Sequence, residues 1–216
     1  MSVRGLFITF EGGEGVGKST QMDLALDRLR AVSDDVVALR EPGGTPVGDR
    51  VRALLLEPGD GMDPVTELLL YEASRAELVR RVIAPALERG AAVVCDRFTD
   101  STVAYQGHGR GIGADEVRAL NDAATDGIVP DVTVLLTTDM ALGLARATHG
   151  GADRIESEPS AFHARVAAGF AAIAGEEPDR VLVVDASGTV EEVAGRVWAA
   201  LAAHPAAASW LAAKRP

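Results

Sequence analysis

Short apolar runs alternate with longer amphipathic segments along the whole chain. The apolar runs lie at 6–10, 36–39, 92–95, 132–136 and 181–184, and we interpret them as strands. Between them, apolar residues recur at helical spacing, which predicts helices at 20–32, 114–125, 139–148, 160–174 and 190–202 and another that begins at Pro64. This alternation is typical of repeated βαβ units around a mostly parallel sheet.

Two loops and the C-terminal end depart from the alternation. The loops at 41–46 and 149–159 combine glycine, proline and charged residues, and such loops at strand ends are where open α/β sheets bind ligands. The alanine-rich end at 204–216 is only weakly apolar, so we interpret it as a tail and not as a membrane anchor. No linker divides the chain, which predicts one α/β domain over 1–216.

Composition and charge exclude some classes of partner. The chain has 216 residues and a formal net charge of -11, with 21 basic against 32 acidic side chains. Binding to a nucleic-acid polymer or to an anionic membrane surface requires clustered positive charge, so neither partner is predicted. The single cysteine, Cys95, permits no internal disulfide, and the N-terminal apolar run is too short for a signal peptide. A reducing, cytoplasmic location is therefore expected.

Lysine is almost absent from the chain. Of the 21 basic residues, 19 are arginine, and the two lysines are Lys18 and Lys214. Lys214 lies in the predicted tail, so Lys18 is the one lysine in the body of the sequence. A lysine kept among so many arginines suggests a role for a compact ammonium charge that a guanidinium does not fill.

Lys18 lies in a phosphate-binding motif. Residues 12–19 read GGEGVGKS, a full match to GxxxxGK[ST] placed after a predicted strand and before a predicted helix. In such a loop successive backbone N–H groups surround phosphate oxygens, the lysine reaches the β- and γ-phosphates, and the serine hydroxyl binds Mg²⁺. The predicted ATP-binding residues here are Gly12, Gly13, Glu14, Gly15, Val16, Gly17, Lys18, Ser19 and Thr20. The alternative is a glycine-rich turn without a ligand.

A phosphate loop by itself leaves a small-molecule kinase, a GTPase switch and a motor or transport ATPase open. The only asparagine is Asn121, so the Asn-Lys-x-Asp motif that reads guanine is absent, and 216 residues are few for a large ATPase. A second strand ends in Asp96 and Arg97, where the acid could hold Mg²⁺ and the arginine could bind the transferred phosphate. Alone, this pair could equally be a helix cap and a surface ion pair. Together the two motifs favour a small phosphotransferase.

Four further segments carry a resemblance to one family. Residues 94–106 (VCDRFTDSTVAYQ) resemble the signature of thymidylate kinases, 40–45 (REPGGT) and 71–75 (YEASR) resemble two other segments of bacterial members, and 153–156 (DRIE) resembles the end of their lid. The matches follow one another in the family's order. The resemblance implies a P-loop nucleoside monophosphate kinase fold, with a five-stranded parallel sheet flanked by helices and a lid at about 148–159. It also implies ATP- and Mg²⁺-dependent phosphorylation of dTMP to dTDP by a homodimer.

The resemblance also assigns roles in binding the acceptor nucleotide. Glu14 is expected at the sugar 3′-hydroxyl, Arg40 and Arg97 at the acceptor phosphate, and Arg52 beside the thymine pocket. Further residues of the expected acceptor site are Glu41, Pro42, Tyr71, Arg75, Ser101, Thr102, Tyr105 and Gln106. Among them the ring of Tyr71 is expected to stack on thymine, where relatives commonly have Phe.

The polar edge of the base has its own expected partners. Arg75 is expected to donate to the base O4, and Gln106 is expected to meet the same edge. Tyr105 is expected to crowd the 2′ position and so disfavour ribonucleotides. The expected catalytic residues are Lys18, Asp96, Arg97 and Arg154, and the expected Mg²⁺ ligands are Ser19 and Asp96.

The lid departs from the family pattern. Members with an acid in the phosphate loop supply several basic residues from the lid, but this lid offers only Arg146, Arg154 and the largely neutral His149. We expect Arg154 to be the catalytic cation and Arg146 to pack against adenine; a surface ion pair is the alternative for a lid arginine. Two other functions stay open at this point: another nucleoside monophosphate or deoxynucleoside kinase, and a non-catalytic nucleotide-binding switch.

Overall fold

A computed structural model describes residues 5–57, 61–139, 142–143 and 153–214. In this part of the chain five strands form one parallel sheet in the order β2-β3-β1-β4-β5. The strands are β1 (Leu6–Glu11), β2 (Val36–Arg40), β3 (Ala92–Asp96), β4 (Val132–Thr137) and β5 (Val181–Asp185). All five predicted strands are confirmed, and each continues one polar residue further at its carboxyl end than its apolar run indicated.

Helices cover both faces of the sheet. They are α1 (Lys18–Arg30), α2 (Pro46–Leu56), α3 (Pro64–Leu78), α4 (Ala84–Glu88), α5 (Thr99–Thr102), α6 (Ala114–Thr125), α7 (Ser160–Glu176), α8 (Val190–Ala203) and α9 (Pro205–Lys214). Two π-helical segments, Val79–Ile83 and Val103–Gly109, continue α3 and α5. The helices predicted at 20–32, 114–125, 160–174 and 190–202 and from Pro64 are confirmed, while 139–148 lies almost wholly outside the described residues.

Helix α2 was not predicted from the sequence, and its burial explains why. Only Gly48 and Leu55 are buried in it, so its other apolar residues do not mark one inward face at helical spacing. The local start signal is nevertheless clear, because the Thr45 hydroxyl accepts a hydrogen bond from Gly48 N at 3.0 Å and Pro46 occupies the first turn.

Alternate side chains of the strands enter separate cores. Ile8, Val94 and Val134 pack on one face with α1, α8 and α9. On the other face Phe7 and Val93 pack against α3 and α4, and Leu135 packs against α6 and α7. Strands buried on both sides read as continuous apolar runs, which is why β1, β3 and β4 were readable from the sequence. The edge strands β2 and β5 are only partly buried, but apart from the last residue of each they are apolar as well. Among the described helices, none is both long and apolar enough to cross a membrane.

The C-terminal segment is a packed helix, which corrects the interpretation of 204–216 as a tail. Trp210 of α9 is 2% exposed and belongs to the core beside α1 and α8. Its indole Nε1 donates to the carbonyl oxygen of Gly90 at 3.2 Å. Lys214 lies over the Trp210 ring, 5.3 Å from its centroid. The segment is weakly apolar in composition because alanine dominates it, but one large aromatic side chain anchors it.

Candidate active site

The phosphate loop joins the carboxyl end of β1 to α1. Gly12 and Gly17 have φ angles of 136° and 90°, a region that favours glycine. A Cβ added to Gly12 would overlap the carbonyl oxygen of Leu136, whereas one added to Gly13 or Gly17 would meet nothing within 4 Å. The loop therefore has space beside its backbone where a phosphate fits, at the N-terminus of a 13-residue helix.

Lys18 is nearly buried under this loop. Its Nζ donates to the carbonyl oxygens of Gly13 at 2.7 Å and Gly12 at 3.2 Å. Burial, and secondarily the positive charge of Arg97, lower the pKa of Lys18 to about 8. Phosphate oxygens beside Nζ would restore the preference for the charged form, so the side chain is placed to bind an anion.

Ser19, in the first turn of α1, and Asp96, at the carboxyl end of β3, lie within hydrogen-bond distance of each other; both are predicted Mg²⁺ ligands. The Ser19 hydroxyl donates to Asp96 Oδ2 at 3.1 Å. Asp96 Oδ1 is buried and has no hydrogen-bond partner among the described residues. A hydroxyl and a carboxylate with an unpartnered oxygen are oxygen ligands of the kind that Mg²⁺ prefers beside substrate phosphates. The pair therefore fits the cation.

Arg97 adopts a backbone conformation that is uncommon for a residue with a side chain. Its φ is 68°, and such strain persists where the surroundings determine the conformation. Its guanidinium donates to Gly12 O at 3.1 Å, Ser101 Oγ at 3.0 Å and Glu14 Oε1 at 2.8 Å. The arginine of the second motif is thereby fixed against the phosphate loop, although 85 residues separate it from Gly12.

Glu14 is held as an anion inside this cluster. The Tyr105 hydroxyl donates to its Oε1 at 2.5 Å. Burial opposes the charge, but Arg97, Lys18 and the Tyr105 hydrogen bond outweigh it and lower the pKa of Glu14 to about 2. An ionised carboxylate flanked by a phenol and two cations can accept a hydrogen bond from a sugar hydroxyl.

Glu11 supports the Arg97 turn and was not assigned a role from the sequence. Its carboxyl accepts from Phe98 N at 2.7 Å and from the Ser101 hydroxyl at 2.5 Å. Burial, and then the charge of Asp100, raise the pKa of Glu11 to about 8. A sequence signal existed, since Glu11 is an acid that directly continues a buried strand.

One cavity of about 480 Å³ collects most of the predicted site residues. From the phosphate loop and its helix it includes Glu14, Gly15, Gly17, Lys18, Ser19 and Thr20. From the strand ends and the loops after them, α2, α3, α5 and the π-helical segment it includes Arg40, Glu41, Pro42, Arg52, Tyr71, Arg75, Asp96, Arg97, Ser101, Thr102, Tyr105 and Gln106. Gly12, Gly13, Val16 and Arg154 are not in its lining. Arg146 lies outside the described residues.

Arg75 lines the cavity, but its donors are already engaged. Its Nε donates to Glu41 at 2.9 Å, Nη1 to Glu72 and Asn121 at 2.7 Å each, and Nη2 to Thr102 at 2.7 Å. A fifth bond runs from Nη2 to the carbonyl oxygen of Phe98 at 3.1 Å. A hydrogen bond to a base would have to share or replace one of these, so the donation to O4 expected for Arg75 stays a prediction.

Arg154 lies away from the phosphate loop in this structure. Its Nε donates to the carbonyl oxygen of Leu55 at 2.8 Å, and its Nη1 is 2.6 Å from Glu67 Oε2. The remaining nitrogen, Nη2, is buried without a partner among the described residues. The catalytic role expected for Arg154 stays a prediction, and it would require the guanidinium to leave Glu67.

Glu67 is a further residue of the site that the sequence reasoning missed. It lies four residues before Tyr71 and eight before Arg75, so all three share one face of α3. Glu67 is fully buried and accepts hydrogen bonds from Gln106 and Arg110. The sequence did contain a signal, namely the helical spacing of Glu67 from Tyr71 and Arg75. This spacing places an acid on the inward face of α3, where acidic residues are rare.

The similarity to known proteins extends over nearly the whole chain. Residues 10–197 match the family model described as thymidylate kinase. The thymidylate kinase of Synechococcus sp. (strain JA-3-3Ab) is 52% identical over 193 residues, which are 89% of this chain and 93% of that protein. That of Deinococcus radiodurans is 50% identical over 199 residues, which are 92% of this chain and 97% of that protein.

A solved structure agrees with the sequence relatives. The crystal structure of thymidylate kinase from Ehrlichia chaffeensis matches with a TM-score of 0.79 and 35% identity, and the match covers 92% of this chain and all of that one (100%). The sequence and the fold that carry the phosphate loop, the Asp96-Arg97 turn and the cavity are thus similar to those of thymidylate kinases over about nine tenths of the chain. The chain belongs to the thymidylate kinase family.

Proposed function

We propose that this protein transfers the γ-phosphoryl group of ATP to dTMP and releases dTDP and ADP, with Mg²⁺ as cofactor. The observation that carries the proposal is that residues expected to bind the phosphate donor and residues expected to bind the acceptor line the same cavity. Its lining combines the phosphate loop with Tyr71, Arg75 and Gln106, so a phosphate donor and a pyrimidine nucleotide can occupy one space. The relatives described above are thymidylate kinases, which supports the same substrate.

The acceptor nucleotide would be bound by arginine side chains at its phosphate and by an aromatic ring at its base. Arg97 and Arg40 suit the two negative charges of its phosphate, because the planar fork of a guanidinium matches phosphate oxygens. Glu14 would accept a hydrogen bond from the sugar, and Tyr71 would offer a π face to the base. Burial, and then the nearby Glu67, raise the pKa of Tyr71 to about 12, so this ring stays neutral.

The chemistry would depend on position and charge. An oxygen of the dTMP phosphate attacks the γ-phosphorus, and the bond from that phosphorus to the β,γ-bridging oxygen breaks with its electron pair, which leaves on ADP. This acceptor oxygen is already ionised near neutral pH, so no general base is required. Lys18 and Arg97 stabilise the charge on the transferred group. Ser19 and Asp96 would hold Mg²⁺, which when bound neutralises charge on the phosphates.

The test is an acceptor panel. Purified protein is given ATP and Mg²⁺ with dTMP, dCMP, dGMP or thymidine, and ADP formation is followed. We expect dTMP to be turned over most efficiently. Efficient use of dCMP, dGMP or thymidine beside undetectable use of dTMP would support the other kinase function instead. Tight ATP binding without any ADP release stimulated by an acceptor would indicate a nucleotide-binding switch.

Two arginine variants sharpen this panel. Arg97→Ala removes a cation from the transferred phosphate, and we expect kcat/KM for dTMP to fall by about 100-fold or more. Arg89→Ala is the matched control, because Arg89 pairs with Asp35 at the exposed surface, where such pairs contribute little. Equal activity of Arg97→Ala and the control would contradict the role of Arg97.

The remaining parts of the proposal concern the lid, the location and the assembly. The chain would act as one kinase domain with a lid at about 148–159, of which 148–152 lie outside the described residues, and the lid would close over the phosphates and exclude water. The buried, unpaired thiol of Cys95 supports a cytoplasmic location. A homodimer is supported by apolar side chains that α2 and α3 leave half-exposed, namely Val47, Leu54, Val65 and Leu69.

A further inference from the structure

Glu67 is a buried acid that no step of the proposed reaction uses. Its Oε1 accepts from Gln106 Nε2 at 2.7 Å and from Arg110 Nε at 3.0 Å. Its Oε2 lies 2.9 Å from Arg110 Nη2 and 2.6 Å from Arg154 Nη1. Burial opposes ionisation, but the hydrogen bonds from Arg110, Gln106 and Arg154 prevail and lower the pKa of Glu67. The carboxylate is therefore ionised and has no proton to donate.

This charge state determines how the amide of Gln106 is turned. A carboxylate only accepts hydrogen bonds, so the amide nitrogen of Gln106 must face Glu67. The carbonyl oxygen occupies the other branch of the planar amide. Gln106 also lines the cavity, and with its nitrogen held at Glu67 the branch of the amide left to face a ligand there is the carbonyl oxygen, an acceptor.

An acceptor at this position distinguishes pyrimidines by their edge. In thymine N3 carries a hydrogen, whereas in cytosine N3 is a lone pair beside an amino group. A glutamine that was free to turn could present N–H to cytosine as readily as C=O to thymine. A ligand that leaves a buried polar group of the site without a hydrogen-bond partner binds much more weakly than one that pairs it.

We propose that Glu67 is a positioning residue for base specificity: it locks the Gln106 amide with its carbonyl oxygen toward the base and so selects a pyrimidine with N3–H. The inference rests on the proposed function, since it assumes that the base lies against Gln106. Glu67 does not touch the substrate. It acts by removing one of the two orientations of a side chain that does.

A purely structural role for Glu67 makes different predictions. The same carboxylate holds Arg110 and Arg154, and Arg110 also binds Glu158 at 2.5 Å. If Glu67 mattered only for this ion cluster, loosening the cluster from the Glu158 side would have the same effect on specificity. Glu158→Gln is therefore the matched control, because it weakens the Arg110 pair without touching Gln106.

The experiment measures binding of dTMP and of 5-methyl-dCMP by calorimetry, since these two nucleotides differ only at the N3–C4 edge. We expect Glu67→Gln, whose amide can also donate, to lower the preference for dTMP by about tenfold. Glu158→Gln should keep the wild-type preference. Gln106→Leu should lower the preference as well, and adding Glu67→Gln to it should change the preference no further.

Several results would overturn the inference. These are equal binding of the two nucleotides by the wild type, an unchanged preference in folded Glu67→Gln, an equal loss in Glu158→Gln, or a further loss when Glu67→Gln is added to Gln106→Leu. Because Gln106→Leu leaves Glu67 and its arginines in place, an unchanged preference in that folded variant would also overturn the inference, even if Glu67→Gln folds poorly. Turnover of dTMP by the wild type is scored separately, so a selective but inactive protein would remove the proposed function and leave this inference standing.

Discussion

At the scale of single residues, the phosphate site depends on opposite charges that restrain one another. Lys18 and Arg97 are both cations, and Glu14 lies between them as an anion with the Tyr105 phenol attached. Without Glu14, two positive charges would share one poorly solvated site, which is costly. With it, the cations stay in place before any phosphate arrives. Preorganised charge of this kind lowers the cost of reaching the transition state.

Removing the phenol hydroxyl tests this arrangement. Tyr105→Phe keeps the ring, which lies 4.9 Å from the Arg97 guanidinium carbon, and loses only the hydrogen bond to Glu14. A hydrogen bond to a charged group contributes about 1.5–3 kcal/mol, so we expect kcat/KM for dTMP to fall at least about tenfold. Steady-state kinetics with ATP in excess would measure it. Unchanged kinetics would mean that the phenol is dispensable to Glu14.

The charge of Glu14 also makes the free energy of unfolding depend on pH. A carboxyl whose pKa falls from 4.5 to about 2 on folding stabilises the folded state above pH 4.5 and loses that contribution as the pH drops toward 2. We expect Glu14→Gln to cost about 3 kcal/mol at pH 7, from ~1.4 kcal/mol for each pKa unit.

Denaturant titrations at pH 7, 5 and 3.5 would follow this difference. It should stay constant from pH 7 to about pH 5 and shrink by about 1 kcal/mol at pH 3.5. Glu57→Gln at an exposed position serves as the control for replacing a glutamate and should cost clearly less at pH 7. A difference that is as large at pH 3.5 as at pH 7 would show that Glu14 is not ionised in the fold.

At the scale of elements, two helices bring the acceptor side of the cavity together. The face of α3 carries Tyr71 and Arg75 at helical spacing. The π-helical segment after α5 presents two consecutive residues, Tyr105 and Gln106, to the same cavity. The wider turn of a π-helix does not follow the period of 3.6 residues, and such segments are frequent at functional sites. Periodicity therefore could not predict this segment, although its motif was recognisable.

Trp210 is the largest side chain that helix α9 contributes to the core. Trp210→Ala would leave a cavity beside α1 and α8. Truncating a buried aromatic side chain to alanine costs about 3–5 kcal/mol. We expect a loss of that size in the free energy of unfolding. Trp198→Ala, at a partly buried position of α8, should cost clearly less. If Trp210→Ala were as stable as the wild type, the packing of Trp210 would not stabilise the fold, and the interpretation of the segment as a tail would stand.

At the scale of the whole molecule, an acidic protein keeps its cations where phosphates are expected. The net charge is -11, yet the cavity lining includes Lys18, Arg40, Arg52 and Arg97. A cleft concentrates the field of the charges that line it. Net charge thus excludes extended polyanions as partners without excluding small, highly charged nucleotides.

The proposed dimer face is the prediction at this scale. Leu69 on α3 is 51% exposed, and a charge placed there would be buried without a partner in a dimer. We expect Leu69→Glu to shift the protein from dimer to monomer in light scattering while its unfolding transition stays close to that of the wild type. Val129→Glu, at a loop position that is 58% exposed, is the control and should leave the mass unchanged. A wild type that is monomeric at micromolar concentration would contradict the homodimer.

The sequence by itself determined the features that are local or continuous along the chain. The central strands β1, β3 and β4 are buried and apolar on both faces, and the edge strands β2 and β5, although partly exposed, are still apolar runs, so all five were readable. The phosphate loop is built from consecutive residues whose backbone does the binding. The polar residue that ends each strand, such as Arg40 or Asp96, could not be assigned to a strand because apolar periodicity stops before it.

Only the tertiary structure decided how distant side chains share donors and acceptors. Arg75 is saturated by groups up to 46 residues away, Arg154 lies against Glu67, and Glu67 turns the amide of Gln106. The packing of Trp210 depends on a carbonyl 120 residues earlier. Residue type and spacing state which groups can hydrogen-bond, but which partner each one obtains depends on distances that exist only after the chain has folded.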